Sequence, residues 1–294
     1  MTDGIGGFWV ATATPLAANG SVDHARLAEH GAWLFRQGVE GLVLFGTTGE
    51  GTSFSATERL ETVSALLKAG VAPNQLALGT GFPAVPDTIA LSKSALALGL
   101  QHMLILPPYF YRDASATGLE DAFAAIIEGV ADDRLRATLY HIPQVSGVAI
   151  PPAVLANLRV RFGKLLAGVK DSSGNFEHFR AFRAAAPDVA VTIGNEVDIA
   201  RALAEGGTGT ICGMANLVPG MVHALFRDPA AAGPMQAAVD LMTGPFCPTL
   251  KAALAELTGE PAWSHVRPPL HAASWAEGHR VAAGLRALQQ DVAA

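Results

Sequence analysis

The chain has 294 residues, half of them hydrophobic and only 16% charged, with a formal net charge of −6 and no basic run. That balance supplies ample core for one large α/β domain. It argues against nucleic acid, which needs a concentrated positive patch. No apolar stretch approaches the roughly 20 residues of a membrane span, and the N-terminus MTDGIGGFWV lacks a leader pattern, so a cytoplasmic protein is expected. The low charge suits subunit burial and equally an alanine-rich composition. Cys212 and Cys247 form no CxxC and have no matching histidine spacing, which points to neither a zinc site nor a disulfide framework.

In chain order, apolar runs of strand length recur about every 30 residues: FWVATAT, GLVLFGTTG, LALGTG, HMLILPP, ATLYHIP, LLAGVKDSSG, VAVTIGNE and GTGTICGM. They are continuous rather than alternating, as strands covered by helices on both faces are. Helical segments lie between them. Asp23–Gln37 carries an apolar stripe of Leu27, Trp33 and Leu34. Ser55 opens an S-x-x-E capping box with Glu58. Gly38, Gly70 and Gly99 stand where helices should stop. About eight strand–helix alternations predict a TIM (β/α)8 barrel over residues 1–220, with a C-terminal helical extension over 221–294 that is rich in proline breaks. An open dinucleotide-binding sheet would want G-x-G-x-x-G after the first strand, where TATPLAANG stands instead.

Active sites of such barrels lie at the C-terminal strand ends. Of five lysines, only Lys170 follows an apolar strand, Leu165–Val169. Burial favours the neutral amine of a lysine, a nucleophile toward carbonyls. The plain alternative is a strand-capping lysine paired with Asp171. In Gly46-Thr47-Thr48-Gly49-Glu50, two hydroxyls flanked by glycines suit a substrate carboxylate, or the glycines serve only a tight turn. Tyr140, on the strand before that of Lys170, can shuttle protons or be an ordinary core tyrosine. His141 and Glu196 are the one plausible metal-ligand pair, too few for a metal-dependent aldolase.

Taken together, G-T-T-G-E at Gly46–Glu50, P-P-Y-F-Y at Pro107–Tyr111, Y-H-I-P at Tyr140–Pro143 and G-V-K-D-S-S-G at Gly168–Gly174 resemble the dihydrodipicolinate synthase / N-acetylneuraminate lyase family of Schiff-base pyruvate aldolases. The resemblance runs from FWVATATPL to about Pro219. It implies a lyase with Lys170 as the imine-forming residue, Tyr140 as proton shuttle, and Thr47 and Thr48 holding the pyruvate carboxylate. Gly49, Tyr109, Phe110, Tyr111, Gly194 and Ile211 are the further substrate-binding positions it implies. It also implies no metal or organic cofactor, a small-molecule 2-oxo acid and aldehyde as partners, and a homo-oligomer built as a dimer of dimers.

Three positions depart from the family pattern. Val145 replaces an arginine that meets the carboxylate of the second substrate in the biosynthetic enzymes. Phe110 stands where the loop tyrosine of a neighbouring subunit falls, and His141 replaces an asparagine. The expectation is therefore cleavage or formation of 4-hydroxy-2-oxo acids of the 2-keto-3-deoxy sugar acid type. The alternatives are 4-hydroxy-tetrahydrodipicolinate synthase, a keto-deoxy acid dehydratase, or a non-catalytic 2-oxo-acid-binding protein.

Overall fold

The computed structural model describes residues 3–293. Eight parallel strands close a barrel in chain order: β1 (Gly7–Ala11), β2 (Gly41–Leu44), β3 (Leu76–Gly79), β4 (His102–Ile105), β5 (Arg136–His141), β6 (Leu166–Asp171), β7 (Ala190–Ile193) and β8 (Gly209–Cys212). Closure comes from β1 pairing with β8, Gly7 opposite Gly209. Around the barrel run α1 (His24–Arg36), α2 (Ala56–Lys68), α3 (Val85–Ala97), α4 (Ala116–Val130), a single turn α5 (Pro143–Ser146), α6 (Pro152–Phe162), α7 (Phe176–Ala185) and α8 (Ile199–Ala204). After β8 the regular elements of the described residues are helical: α9 (Pro219–Ala224), α10 (Ala232–Asp240), α11 (Phe246–Thr258) and α12 (Trp275–Ala293). The division expected at residue 220 falls just inside α9; we propose it as the start of the extension.

Local chemistry explains the helix bounds. Asp23 caps α1, accepting from the Arg26 N–H at 3.0 Å. The Ser55–Glu58 capping box is formed, and α2 begins at Ala56. Gly38, Gly70 and Gly99 follow α1, α2 and α3 with φ of 88°, 93° and 96°, left-handed values that glycine adopts without strain. The buried face of α1 includes His30 as well as Leu27 and Leu34.

Strand alternation sorts the side chains into two layers. Trp9, Val43, Ala77, Leu104, Tyr140 and Ile211 belong to one cluster, the barrel interior. Val10, Leu42, Leu78, Val169 and Cys212 face the helices in the larger core. Each fully buried aliphatic side chain adds about 1.5–3 kcal/mol. The C-terminal helices lock onto the strand ends through polar contacts. Lys251 of α11 is wholly buried; its Nζ donates to Glu50 Oε1 at 2.5 Å and to the Thr14 carbonyl at 2.8 Å. The second oxygen of Glu50 accepts from the Arg267 N–H at 2.8 Å. Asn216 ties the last turn to β1, donating to the Ala11 carbonyl and accepting from the Ala13 N–H.

Candidate active site

Lys170 lies within β6, which runs one residue past it, so the strand is longer than its apolar run. Parallel pairing sets Tyr140 opposite Lys170 and His141 opposite Asp171. The period of two then sends the first pair into the barrel mouth and the second toward the helices. Lys170 and Asp171 therefore face apart, and the strand-capping pair does not form. Lys170 is buried, with Nζ 4.3 Å from the centroid of the Tyr140 ring. The Tyr140 hydroxyl shares a 3.1 Å hydrogen bond with Thr47 Oγ1. Gly194, at the end of β7, has no room for a side chain: a Cβ there would lie 1.9 Å from Ser172 Oγ and 3.2 Å from Lys170 Cε. A side chain at 194 would therefore collide with Ser172 and crowd the Lys170 side chain.

The turn after β2 is strained. Phe45 and Glu50 hold φ of 55° and 56° without being glycine. The Phe45 carbonyl presses on Gly51 and Gly79, where a Cβ would come within 1.9 and 2.3 Å. Buried Glu50, clamped by Lys251 and Arg267, holds this conformation from the far side. The result presents Thr47 outward and Thr48 inward. Thr48 Oγ1 lies 3.0 Å from where a Cβ on Gly213 would stand, and its carbonyl accepts from Cys247 Sγ at 3.4 Å. Gly49 is buried, packs against the Thr12 carbonyl, and accepts from Thr14 Oγ1 at 2.8 Å.

A cavity of about 510 Å³ opens beside this group. Thr47, Tyr140, Tyr109, Val145 and Ser146 line it, as do Pro245, Phe246 and Cys247 from the start of α11. Lys170, Thr48, Gly49, Gly194 and Ile211 do not; Lys170 and Ile211 sit beneath it, Ile211 wholly inside the barrel. Phe110 and Tyr111 stand outside the cavity, 75% and 72% exposed, edge to face with each other. Phe246 and Arg59 are among the cavity residues that lay beyond the reading of strand ends. Phe246 comes from the C-terminal region, where no motif marks it. Arg59 comes from α2, and its signal is a cation on the buried stripe Arg59, Thr62, Val63, Leu66.

His141 and Glu196 do not form a ligand pair. Glu196 is buried after β7, where its Oε1 accepts from the Gly213 and Met214 N–H groups at 3.0 and 2.8 Å. Burial raises its carboxyl above the usual range, while those N–H groups and the Lys170 charge pull it back. His141 instead joins Asp171 and His178, the one trio of metal-ligand type among the described residues. Its tautomer is wrong for a metal. Nδ1 accepts from the Ile150 N–H at 3.1 Å, so the ring proton sits on Nε2, the atom 3.3 Å from His178 Nδ1. An N–H donor offers a cation no lone pair. Burial lowers His141 to about 4, with the neighbouring His178 acting the same way. Burial also raises the Asp171 carboxyl, against its hydrogen bonds from Ser173.

The model of the dihydrodipicolinate synthetase family matches residues 4–288. The chain belongs to this family. A DapA-like lyase of Chloroflexus aurantiacus is 36% identical over 253 residues, 83% of this chain and 84% of that one. A 4-hydroxy-tetrahydrodipicolinate synthase of Rhizobium meliloti is 32% identical over 79% of this chain and 77% of its own. A crystal structure of dihydrodipicolinate synthase from Agrobacterium tumefaciens superposes with a TM-score of 0.92 at 32% identity, covering 97% of this chain and 99% of that one. Members of the dihydrodipicolinate synthetase family are lyases of aldolase type, and this chain is an enzyme of that kind. Among its described residues no helix is long and apolar enough to cross a membrane.

Proposed function

We propose that this family member cleaves or forms 4-hydroxy-2-oxo acids through an imine between Lys170 and the 2-oxo carbon. The observation that carries this reading is the buried amine set against Tyr140, whose hydroxyl reaches Thr47. Among the described residues Lys170 has no carboxylate partner within 4.0 Å, which leaves its nitrogen uncommitted. Thr47 and Thr48 hold the substrate carboxylate. Nζ attacks the carbonyl carbon, and loss of water gives the iminium. Tyr140 gives its phenolic proton to that departing water, and in cleavage the resulting phenolate takes the proton of the 4-hydroxyl as the C3–C4 bond breaks. The bonding pair moves into the iminium, giving an enamine and a free aldehyde. Protonation of the enamine and hydrolysis return pyruvate and the amine.

Val145 itself offers no cation to an amino-acid semialdehyde, which favours keto-deoxy sugar acids over the biosynthetic reaction, while the Arg112 side chain, which lies against Gly147 on the same turn, is the rim cation that could replace it. The relatives named as synthases keep that second reading open. We further propose a dimer of dimers, with Phe110 and Tyr111 in the shared face.

Borohydride reduction in the presence of pyruvate should add one reduced pyruvyl group per chain, at Lys170. Lys170→Ala should abolish the label and cost several orders of magnitude in rate. Label on another lysine, or none with a range of 2-oxo acids, ends the imine reading.

A further inference from the structure

The polar side chains that would serve a hydroxylated aldehyde at the mouth are already committed. Ser146 gives its hydroxyl to the Ile142 and Val148 carbonyls at 3.1 and 3.0 Å and accepts from the Val148 N–H at 3.2 Å. Gln144 gives its amide to the Ser172 carbonyl at 2.6 Å and stands outside the cavity lining, as does Arg112. The Cys247 thiol goes to the Thr48 carbonyl, and His141 packs on His178 and Phe182 of α7. Beyond Thr47, the tyrosines and the clamped Glu50, the polar side chains left in the lining are Thr52, Ser53 and Arg59. Those come from the turn after β2 and from α2. The side formed by the end of β5, α5 and the start of α11 presents Ile142, Val145, Pro245 and Phe246. Ile142 packs in one cluster with Tyr140. Phe246 reaches further in: its Cε1 and Cζ lie 2.7 Å from where a Cβ on Gly213 would stand, and Thr48 Oγ1 lies 3.0 Å from the same point. The ring edge and the Thr48 hydroxyl therefore meet over Gly213, while the ring stays 38% exposed.

We propose that Phe246, with Ile142 and Val145, forms an apolar exit for the aldehyde portion, so that this chain prefers 4-hydroxy-2-oxo acids with an apolar 4-substituent. The inference rests on the imine reading, which puts the 2-oxo end at Lys170 and the 4-hydroxyl at Tyr140. The 4-substituent then leaves Tyr140 along Ile142 and meets Val145 and Phe246. An apolar group covers these side chains and displaces water from them. A polyol there gives up its own water to walls that offer no free side-chain donor, which weakens its binding. Val145 ranks second substrates by charge. The committed hydroxyl, amide and thiol go on to rank the neutral ones, with an apolar aldehyde ahead of a polyhydroxylated one. Cleavage of a 4-phenyl substrate breaks C3–C4 and gives pyruvate and benzaldehyde. The 4-hydroxyl proton goes to the Tyr140 phenolate, and a proton returns to C3 of the enamine.

The test uses 4-hydroxy-2-oxo acids carrying a phenyl, isopropyl, trihydroxypropyl or carboxymethyl group at C4. Cleavage kcat/KM is measured for the wild type, Phe246→Ser, Phe246→Leu and Val145→Ser. In the wild type the better apolar substrate should lead the trihydroxypropyl one by at least about tenfold, about 1.4 kcal/mol. Phe246→Ser should bring that ratio within about threefold, and Phe246→Leu, which keeps an apolar side chain, should hold it above that. Taking a ratio cancels whatever the ring does for Thr48 at the carboxylate end. If Phe246→Ser does not fold, Val145→Ser, at an exposed position, should lower the ratio instead. A smaller wild-type ratio, a lead by the carboxymethyl substrate, a ratio untouched in every serine variant that folds, or an equal fall in Phe246→Leu overturns the proposal. Pyruvate labelling of the wild type, run alongside, separates the two failures: label at Lys170 with a small ratio sinks only the apolar exit, whereas no label sinks the imine reading and this one with it.

Discussion

Lys170 and Tyr140 are 3% and 4% exposed at the barrel mouth, while Phe110 and Val145, at the same end of the molecule, are 75% and 59% exposed. The floor residues sit on neighbouring strands in fixed register, with glycines wherever a side chain would collide. The rim residues sit on the loop after β4 and on the turn α5, with the Phe110 and Val145 side chains turned to solvent. A floor built this way tolerates little change, because each group is determined by several others. A rim built this way can change its second substrate without touching the amine. On the proposed mechanism, the difference assigns the chemistry to the floor and the specificity to the rim.

The sharpest way to break the comparison is at Tyr140. Tyr140→Phe keeps the ring over Lys170 but removes the shuttle, and should lower kcat by about 10²–10⁴-fold. Pyruvate labelling of Lys170 should persist in it. A loss below tenfold would make Tyr140 part of the packing and not of the chemistry.

Next in size is the clamp behind the floor. Lys251→Met leaves buried Glu50 without its cation, and should cost about 3–5 kcal/mol of stability, as for other broken buried pairs. Chemical denaturation measures it. A cost under 1 kcal/mol would mean that the strained turn after β2 holds itself.

The rim should respond more gently. Val145→Arg should raise kcat/KM for aspartate semialdehyde about tenfold, the low end for a charge-assisted hydrogen bond, because the position is solvent-exposed. No gain, with the label at Lys170 intact, would place second-substrate recognition elsewhere on the wall.

The smallest effect concerns histidines packed behind the mouth. Burial holds His30 and His141 at about 4 in the folded chain, against about 6.5 when unfolded. The unfolded state therefore binds more protons between those values, and stability falls as pH drops from about 6.5 toward 4. Each histidine contributes at most about 1.4 kcal/mol per pH unit. Melting temperatures across that range should fall less steeply in His30→Gln than in the wild type. Equal slopes would mean that His30 does not contribute.

By itself the sequence determined the barrel, its strand ends and the amine at Lys170. Those are local properties. A strand covered on both faces reads as a continuous apolar run, a capping box needs only Ser55 and Glu58, and a left-handed stop needs only Gly38 or Gly70. Lys170 was legible because a lysine at the end of such a run stands out, and Tyr140 because the barrel order makes β5 and β6 neighbours. Tertiary structure alone decided what crosses the chain. Lys251 meets Glu50 across 201 positions, Phe246 arrives at the mouth from a helix with no motif, and Arg59 turns inward only because Gly51 and Gly79 present carbonyls to it. The same holds for His141, whose tautomer is set by the Ile150 N–H and not by its place in Y-H-I-P. A buried charge is placed by partners that only folding assembles, so its role is written in three dimensions before it is visible in one.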